Sequence, residues 1–348
     1  MMKISLLIPS YNEERSLWKC LEQALSQTRP LDEIIVVNDG STDNTQLILE
    51  SIIERYPIVR SINLTSNTGN KSKAQKEWLK KITWDIVIMT DADTLMDSNF
   101  VALIAKEFEN DTQELIAAIG GYVVSLKHNW MTACREIDYI IGQNIFKKAQ
   151  SIIDYVYVMP GCATAIRTPI LKELIFNHDT VTEDLDFTFQ LHLMWLSIDY
   201  NMDAKVYTQD PPNLSSYIRQ MKRWYGGGWQ NIRKYWPIIF HNPSAAFVLG
   251  TIFIDGIFFS LITIMTPIFS PVLFFTYLLP LYFFWAFIFT TYAAVTSRRY
   301  DLMFYFPHYV FIIFVNALIM WYEFFREIVF NKCDLVWRRA DRVVTQIR

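Results

Sequence analysis

Short apolar runs rich in β-branched residues recur through the N-terminal part of the chain, and each stops at a cluster of turn residues. Residues 3–9 and 33–38 read as buried parallel strands, because short continuous apolar runs between turn signals suit a sheet covered on both faces. Residues 13–27 carry Leu17, Leu21, Ala24 and Leu25 at helical spacing, and residues 42–55 do the same with Leu47, Ile48, Ile52 and Ile53. The alternation continues with a strand at 58–64, a helix near 72–82, and a strand at 84–89 that runs into Thr90-Asp91-Ala92-Asp93. This order predicts an α/β domain with a mostly parallel, Rossmann-type sheet. Beyond it, a strand is expected near Val158, and an amphipathic helix at 185–195 opened by Thr182-Glu183-Asp184. A further helix carries Gln220-Met221-Lys222-Arg223-Trp224.

The pattern changes near Ser244. From Ala245 to Thr296 the only charged side chain is Asp255. A run of that length accommodates two membrane helices of about 20 apolar residues each, with 267–271 as the turn between them. A third apolar stretch, 302–322, contains Pro307, His308 and Asn316. Cytoplasmic loops carry the excess of Lys and Arg, so the first domain and Arg298-Arg299 belong on the cytoplasmic side. The tail from Arg326 onward, with six basic against three acidic residues, belongs there too. Two true crossings, with 302–322 re-entrant or paired with an additional partial element, satisfy all three conditions, and a third crossing stays open. Residues 229–236 mix aromatic side chains with Arg233 and Lys234, which suits the headgroup layer or a surface helix packed on the first domain. The expected organisation is a cytoplasmic domain (1–228), an interfacial amphipathic segment (229–244), two or three transmembrane helices (245–325) and a basic cytoplasmic tail (326–348) of an integral membrane protein.

Composition supports this division. Of the 348 residues 52% are hydrophobic and only 19% charged, against about a quarter charged in ordinary soluble domains. A net charge of -3 leaves no basic excess, so a nucleic-acid partner is excluded. Cys20, Cys134, Cys162 and Cys333 lie far apart with no Cys-x-x-Cys, which argues against a disulfide framework or a zinc site. The apolar run at the N-terminus is too short for a signal peptide or an anchor, so the first domain is expected to stay in the cytoplasm. Neither a Gly-x-Gly-x-x-Gly fingerprint nor a P-loop is present, and any nucleotide must be held by other means.

Ligands of open α/β sheets bind beyond the carboxyl ends of the strands, and three polar clusters fall there. They are Ser10-Tyr11-Asn12-Glu13, Asn38-Asp39-Gly40-Ser41-Thr42-Asp43 and Asp91-Ala92-Asp93. Asp91 and Asp93 can bring oxygen ligands to Mg²⁺ or Mn²⁺, which neutralises a diphosphate, or they form a solvated turn with a helix cap. Asp39 can accept a hydrogen bond from the N3–H of uracil, or serve the turn and cap, while Asp43 reads as structural. Asp184 has the chemistry of a general base, and acids at a helix start are also favoured by the dipole alone. On their helix Gln220, Arg223 and Trp224 share one face, where a guanidinium meets phosphate and an indole stacks on sugar, or where both anchor the helix at a bilayer. Gly226-Gly227-Gly228 reads as a flexible join.

In order and spacing these segments resemble the family 2 glycosyltransferases, in particular the membrane-bound branch of poly-N-acetylglucosamine, hyaluronan, chitin-oligosaccharide and cellulose synthases. Residues 8–14 resemble that family's opening strand and turn, 37–43 its uracil-binding turn and 91–93 its metal and diphosphate motif. Thr182-Glu183-Asp184 resembles its catalytic-base motif and Gln220–Trp224 its product-terminus motif. The resemblance implies a GT-A-like nucleotide-sugar domain followed by interfacial and transmembrane helices. It also implies a UDP-sugar donor, most simply UDP-N-acetylglucosamine, Mg²⁺ or Mn²⁺ as cofactor, and inversion at the anomeric carbon. It places Tyr11, Glu13 and Asp39 at the donor, Asp91 and Asp93 on metal and diphosphate, and Lys73, in competition with Lys71, toward phosphate. It makes Asp184 the base and sets Gly161, Cys162, Glu183, Gln220, Arg223 and Trp224 around the acceptor and diphosphate. Trp337 and Arg338 resemble a tail segment that closes over the nucleotide, and a basic tail also binds anionic lipid. Asn38 stands where the family usually has a second acid, and residues 67–74 look like its Asn-x-Gly-Lys-Ala segment with insertions. Hyaluronan synthase-like enzymes usually have membrane helices before the catalytic domain, and this sequence shows none. The sparse helices favour a rival reading, a transferase that adds one sugar to a membrane lipid or polyprenyl phosphate, whereas Gln-x-x-Arg-Trp favours a growing saccharide acceptor. The bilayer is the expected partner, with a homo-oligomer or an accessory membrane subunit left open.

Overall fold

The computed structural model describes residues 2–69, 78–79, 82, 84–176 and 179–333. Its strands are β1 (Ile4–Ser10), β2 (Glu33–Asn38), β3 (Val59–Asn63), β4 (Ile86–Met89), β5 (Leu95–Met96), β6 (Ile116–Ser125), β7 (Thr164–Arg167) and β8 (Ser197–Thr208). The main helices are α1 (Leu17–Leu25), α2 (Thr45–Arg55), α3 (Phe100–Asn110), α4 (Trp130–Ile141), α5 (Thr168–Glu173), α6 (Glu183–Leu193) and α7 (Leu214–Lys234), then three long apolar helices α8 (Pro243–Phe269), α9 (Pro271–Ser297) and α10 (Tyr300–Val329). Among the described residues the chain divides into two compact units, one of 2–124 and 156–209, the other of 125–155 and 210–333. This differs from a single boundary at residue 228, because 125–155 groups with the C-terminal part.

The first unit is one eight-stranded sheet in the order β3-β2-β1-β4-β7-β6-β8-β5. β3, β2, β1 and β4, the four apolar runs expected from the sequence, pair in parallel. β7 joins β4 antiparallel, β6 joins β7 antiparallel, and β5 pairs antiparallel with β8. No strand forms at Val158; the chain there is irregular and the strand, β7, begins at Thr164. Leu7, Ile35, Val37, Val87 and Met89 of the parallel strands share one core with Ile166, Phe187, Leu191 and Ile198. In α2 the helical phase differs from the expected one: Thr45, Leu49 and Ile52 are buried and Leu47 is 64% exposed. Gly121 in β6 is required by crowding, since a Cβ there would stand 2.8 Å from both the Ala204 carbonyl oxygen and Phe100 Cε2.

In the second unit Asn129 caps α4, accepting from the N–H of Met131 and Thr132, while the Thr132 hydroxyl accepts from the Asn129 N–H at 3.0 Å. Met131, Ile137, Ile140 and Ile141 of α4 form a core with Tyr217 and Met221 of α7, Tyr282 and Ala286 of α9, and Tyr309, Val310 and Ile312 of α10. α8, α9 and α10 contain 27, 27 and 30 residues with mean hydropathy of 2.2, 2.0 and 1.9, long and apolar enough to cross a membrane. The third apolar stretch, expected to be re-entrant, is therefore a continuous helix with the length of a full span. The expected interfacial segment also divides. Residues 229–234 complete α7, where Trp229, Gln230 and Asn231 are buried. Nor do Gly226–Gly228 make a flexible join, for α7 runs unbroken through them. A Cβ at Gly226 would stand 2.9 Å from Glu323 Oε2, so the bare backbone lets α7 lie against α10.

Gly121→Val is expected to destabilise the protein by about 1–3 kcal/mol, because neither the β8 backbone nor the Phe100 ring can withdraw without breaking other contacts. Thermal unfolding in detergent measures it, and an unchanged midpoint would show that the β6–β8 contact can relax.

Candidate active site

β1, β2 and β4 run side by side in one direction, so the segments that follow them emerge along one edge of the sheet. Two of these loops are stitched together by hydrogen bonds. The Thr42 N–H donates to Asn12 Oδ1 at 2.7 Å, and the Asn12 N–H to Ser41 Oγ at 3.0 Å. The Glu13 N–H donates to Thr45 Oγ1 at 2.8 Å and the Glu14 N–H to Asp43 Oδ2 at 3.1 Å. Asn12 takes a left-handed backbone, φ 55°, which asparagine tolerates better than most residues. The lattice fixes the backbone on either side of Tyr11. Burial pushes the Asp43 carboxyl upward, but the hydroxyl and N–H of Thr45 and the N–H of Glu14 outweigh it and hold the group below the usual carboxylate value. Asp43 is structural, as its sequence context suggested.

Asp39 is buried, and its carboxylate accepts from Thr68 twice, from the N–H at 2.9 Å on Oδ1 and from the hydroxyl at 3.0 Å on Oδ2. It caps no helix, for α2 is capped at Asn44. The turn function falls to Asn38, whose Oδ1 accepts the Ser41 N–H at 3.1 Å. Each oxygen of Asp39 keeps acceptor capacity for the N–H of a base. Thr68 escaped the sequence reading; its signal was its place as the variable residue in Asn67-Thr68-Gly69. Gly40 has φ 67°, and a Cβ on it would stand 2.6 Å from the Asn67 nitrogen, so only glycine lets these two turns meet.

Asp93 and Glu13 are buried and Asp91 partly so. Beneath them the Cys20 thiol approaches the Asp91 carbonyl oxygen at 3.6 Å. Burial, followed by the charges of Asp93, Asp91 and Glu13, pushes this thiol far above its ordinary value. It stays protonated. Among the described residues no three His, Cys, Asp or Glu side chains converge on a metal position. Asp91 and Asp93 still fit a Mg²⁺ or Mn²⁺ whose remaining positions are filled by phosphate oxygens and water, the usual way such ions are held at nucleotides.

Because β7 runs antiparallel to β4, its beginning lies beside the end of β4. The Thr90 hydroxyl donates to the Cys162 carbonyl oxygen at 2.9 Å, and the Ala163 N–H closes a turn onto the Pro160 carbonyl oxygen at 2.9 Å. Gly161 and Cys162 are thereby held next to Asp91. On the other side of that turn, the Met159 N–H donates to Thr188 Oγ1 at 3.0 Å, and the Thr188 hydroxyl donates to the Asp184 carbonyl oxygen at 2.7 Å. A continuous line of hydrogen bonds therefore runs from the Asp91 motif to the first turn of α6. Thr182 makes no side-chain cap bond there, and Asp184 Oδ1 accepts the N–H of Leu185 at 2.9 Å. Glu183 sits in the same turn, favoured by the helix dipole.

Gln220, Arg223 and Trp224 lie on α7 in the second unit, each partly exposed, so the structure gathers the expected residues in two sets. The Arg135 guanidinium lies over the Trp224 ring, 4.8 Å from its centroid. Lys73, Trp337 and Arg338 lie outside the described residues.

Residues 5–175 match the family model described as Glycosyl transferase family 2. Over 248 residues, 71% of this chain, the sequence is 28% identical to the poly-beta-1,6-N-acetyl-D-glucosamine synthase of Staphylococcus epidermidis. The synthase of the same name from Staphylococcus aureus is 27% identical over 226 residues, 65% of this chain and 54% of the relative. The match spans 60% of the length of the S. epidermidis relative. Among solved structures, a mannosyltransferase from Pyrobaculum calidifontis in complex with GDP-Man and Mn²⁺ superposes with a TM-score of 0.59 at 18% identity, covering 92% of this chain and 88% of its own. S. aureus TarS 1-349 in complex with UDP-GlcNAc gives 0.56 at 18% identity, covering 94% and 92%. These two share the GT-A-like fold of the chain.

At neutral pH, Asp43→Asn is expected to cost about 1–2 kcal/mol of stability through weakened hydrogen bonds to Thr45 and Glu14. Since the folded-state carboxyl is held below its unfolded value near about 3.9, this stabilisation is present above that pH and fades as pH falls through the folded value. The gap between variant and wild type should accordingly narrow below about pH 4 in unfolding curves, and a pH-independent gap would remove the assignment.

Proposed function

We propose that the protein, whose residues 5–175 match the Glycosyl transferase family 2 model, is an inverting membrane glycosyltransferase that moves N-acetylglucosamine from UDP-N-acetylglucosamine onto a growing saccharide. The observation that carries this reading is the juxtaposition at one sheet edge of Asp91 and Asp93, the Gly161-Cys162 turn, and, through Met159 and Thr188, Asp184. The names of the staphylococcal relatives and the sugar nucleotide bound to TarS point to the same donor. Tyr11 and Asp39 hold the uridine, with Thr68 keeping the Asp39 carboxylate in place. Asp184 takes the proton of an acceptor hydroxyl as that oxygen attacks the anomeric carbon. The bond from that carbon to the diphosphate oxygen breaks, its electron pair leaves with UDP, and the configuration inverts. Asp91 and Asp93 would hold a Mg²⁺ or Mn²⁺, which would supply charge neutralisation for the diphosphate. Gln220 and Arg223 meet phosphate and acceptor, and Trp224 stacks on the acceptor sugar. The catalytic unit faces the cytoplasm, on the same side as Arg298-Arg299 when α8 and α9 both cross.

The test incubates detergent-solubilised protein with a panel of UDP-sugars and Mn²⁺ or Mg²⁺, following UDP release and product mass. A ladder of additions with UDP-N-acetylglucosamine is the expected result. A single addition to co-purified lipid would support the glycolipid reading instead, and no turnover with any donor would overturn the proposal. Asp184→Asn is expected to bind UDP normally and to lose transfer by about 10²-fold or more, the scale of a missing general base. Asp93→Ala is expected to lose metal-dependent donor binding in calorimetry; unchanged affinity would take Asp93 out of the metal site.

A further inference from the structure

Arg135, on α4, is 3% exposed, and its guanidinium lies over three aromatic rings, 4.7 Å from the centroid of Tyr139, 4.8 Å from that of Trp224 and 5.7 Å from that of Tyr217. Its Nη1 meets Asp138 Oδ2 at 3.1 Å and its Nε meets Asp210 Oδ1 at 3.5 Å. The Tyr139 hydroxyl donates to the same Asp210 oxygen at 3.2 Å. Asp210 is 1% exposed and stands just ahead of Asn213, which caps α7. Burial alone would disfavour the charge, but Tyr139, Asp210 and Asp138 outweigh it and hold the guanidinium firmly protonated. A buried cation of this kind is a costly way to fill space, for well-packed apolar side chains often serve stability as well or better. What an arginine adds is a rigid planar cation that stacks on an indole and is aimed by its carboxylate partners.

We infer that Arg135 is a positioning residue for acceptor binding: it fixes the plane of the Trp224 indole so that the partly exposed ring is ready to receive a sugar. The inference rests on the acceptor role of Trp224 proposed above. Two carboxylates and Tyr139 aim the guanidinium, the guanidinium holds one face of the indole, and the ring need not be ordered when the saccharide arrives. Losing such preorganisation weakens binding of the acceptor roughly two- to tenfold, the scale of immobilising one side chain. It leaves alone the binding of the donor and the chemical step. Lysine at this position keeps the charge but offers neither the plane nor the fork.

Full-length protein in detergent is assayed with UDP-N-acetylglucosamine and a soluble β-linked N-acetylglucosamine tetrasaccharide, for wild type, Arg135→Lys, Trp224→Ala and the double variant. Arg135→Lys is expected to raise KM for the tetrasaccharide roughly two- to tenfold, with kcat and KM for the donor within about twofold of wild type. In the Trp224→Ala background the same change should add less than about twofold, since the ring through which Arg135 acts is gone. Equal loss of kcat, or effects that multiply in the double variant, would show a merely structural role and overturn the inference. If Arg135→Lys fails to fold, Tyr139→Leu removes the ring nearest the guanidinium and keeps both carboxylates; it should raise acceptor KM selectively, and an unchanged value overturns the proposal. Wild type that transfers to no acceptor overturns the functional reading and this inference with it, whereas active wild type with an Arg135→Lys variant identical to it overturns the inference alone.

Discussion

Parallel strands hydrogen-bonded side by side must finish at the same edge, and that geometric constraint brings residues as far apart in sequence as Ser10, Asn38 and Thr90 together. The edge would be a row of loose loops if each had to satisfy its own backbone groups. Instead, the two turns after β1 and β2 satisfy each other, through Asn12, Ser41, Thr42 and Asp43. The antiparallel entry of β7 then supplies a segment that no parallel connection would place there. Its preceding turn is fastened to β4 by Thr90 and to α6 by Thr188. Carboxylates held on a lattice of this kind are aimed before any ligand arrives, which is the condition for electrostatic stabilisation without reorganisation.

Both units keep buried charge in arginine–carboxylate pairs. In the first, Arg167 reaches Asp111 at 3.0 Å and lies over the Phe108 ring, tying β7 to the loop before β6. In the second, Arg299 makes two contacts of 2.7 Å with Glu136, joining the loop between α9 and α10 to α4. Burial raises the Glu136 carboxyl to about 7 even though Arg299 pulls the other way. The Glu323, Arg326 and Glu327 cluster, with both ion pairs at 2.7 Å, lies where α7 meets the end of the last span. Pairs of this kind contribute little net stability, but a helix that slipped by one turn would strand a charge, and so they fix register.

Much of this was legible in the sequence. Buried parallel strands are continuous apolar runs, and β1 to β4 were read within a few residues; the polar clusters after them followed from the same rule. The antiparallel half was not legible, since the pairing of β7 with β4 is decided by contacts distant in the chain rather than by local pattern. The missing strand at Val158 has the same origin. Leu47 was misplaced because apolar residues in α2 exceed what one face can hold, and only packing decides which are left out. Gly226–Gly228 looked like a break because glycine is the poorest helix former after proline, yet close approach of α10 overrides propensity. Thr68 carries no chemistry that would single it out, and its importance comes from standing opposite Asp39.

The division of the chain into units also sets a timetable for its synthesis. The stretch matching the family model, 5–175, includes α4, whose apolar face is completed by Tyr309, Val310 and Ile312 of the last span. Those residues leave the ribosome roughly 170 residues after Ile141, a delay on the order of ten to thirty seconds at common elongation rates. During that interval Met131, Ile137, Ile140 and Ile141 gain Tyr217 and Met221 and then Tyr282 and Ala286 but still lack the last span, although all four parallel strands of the sheet precede them. The nascent protein therefore passes through a stage in which the parallel strands are complete while α4 is only partly covered, and a bilayer or a chaperone close to the exit tunnel is the natural place for that helix to wait.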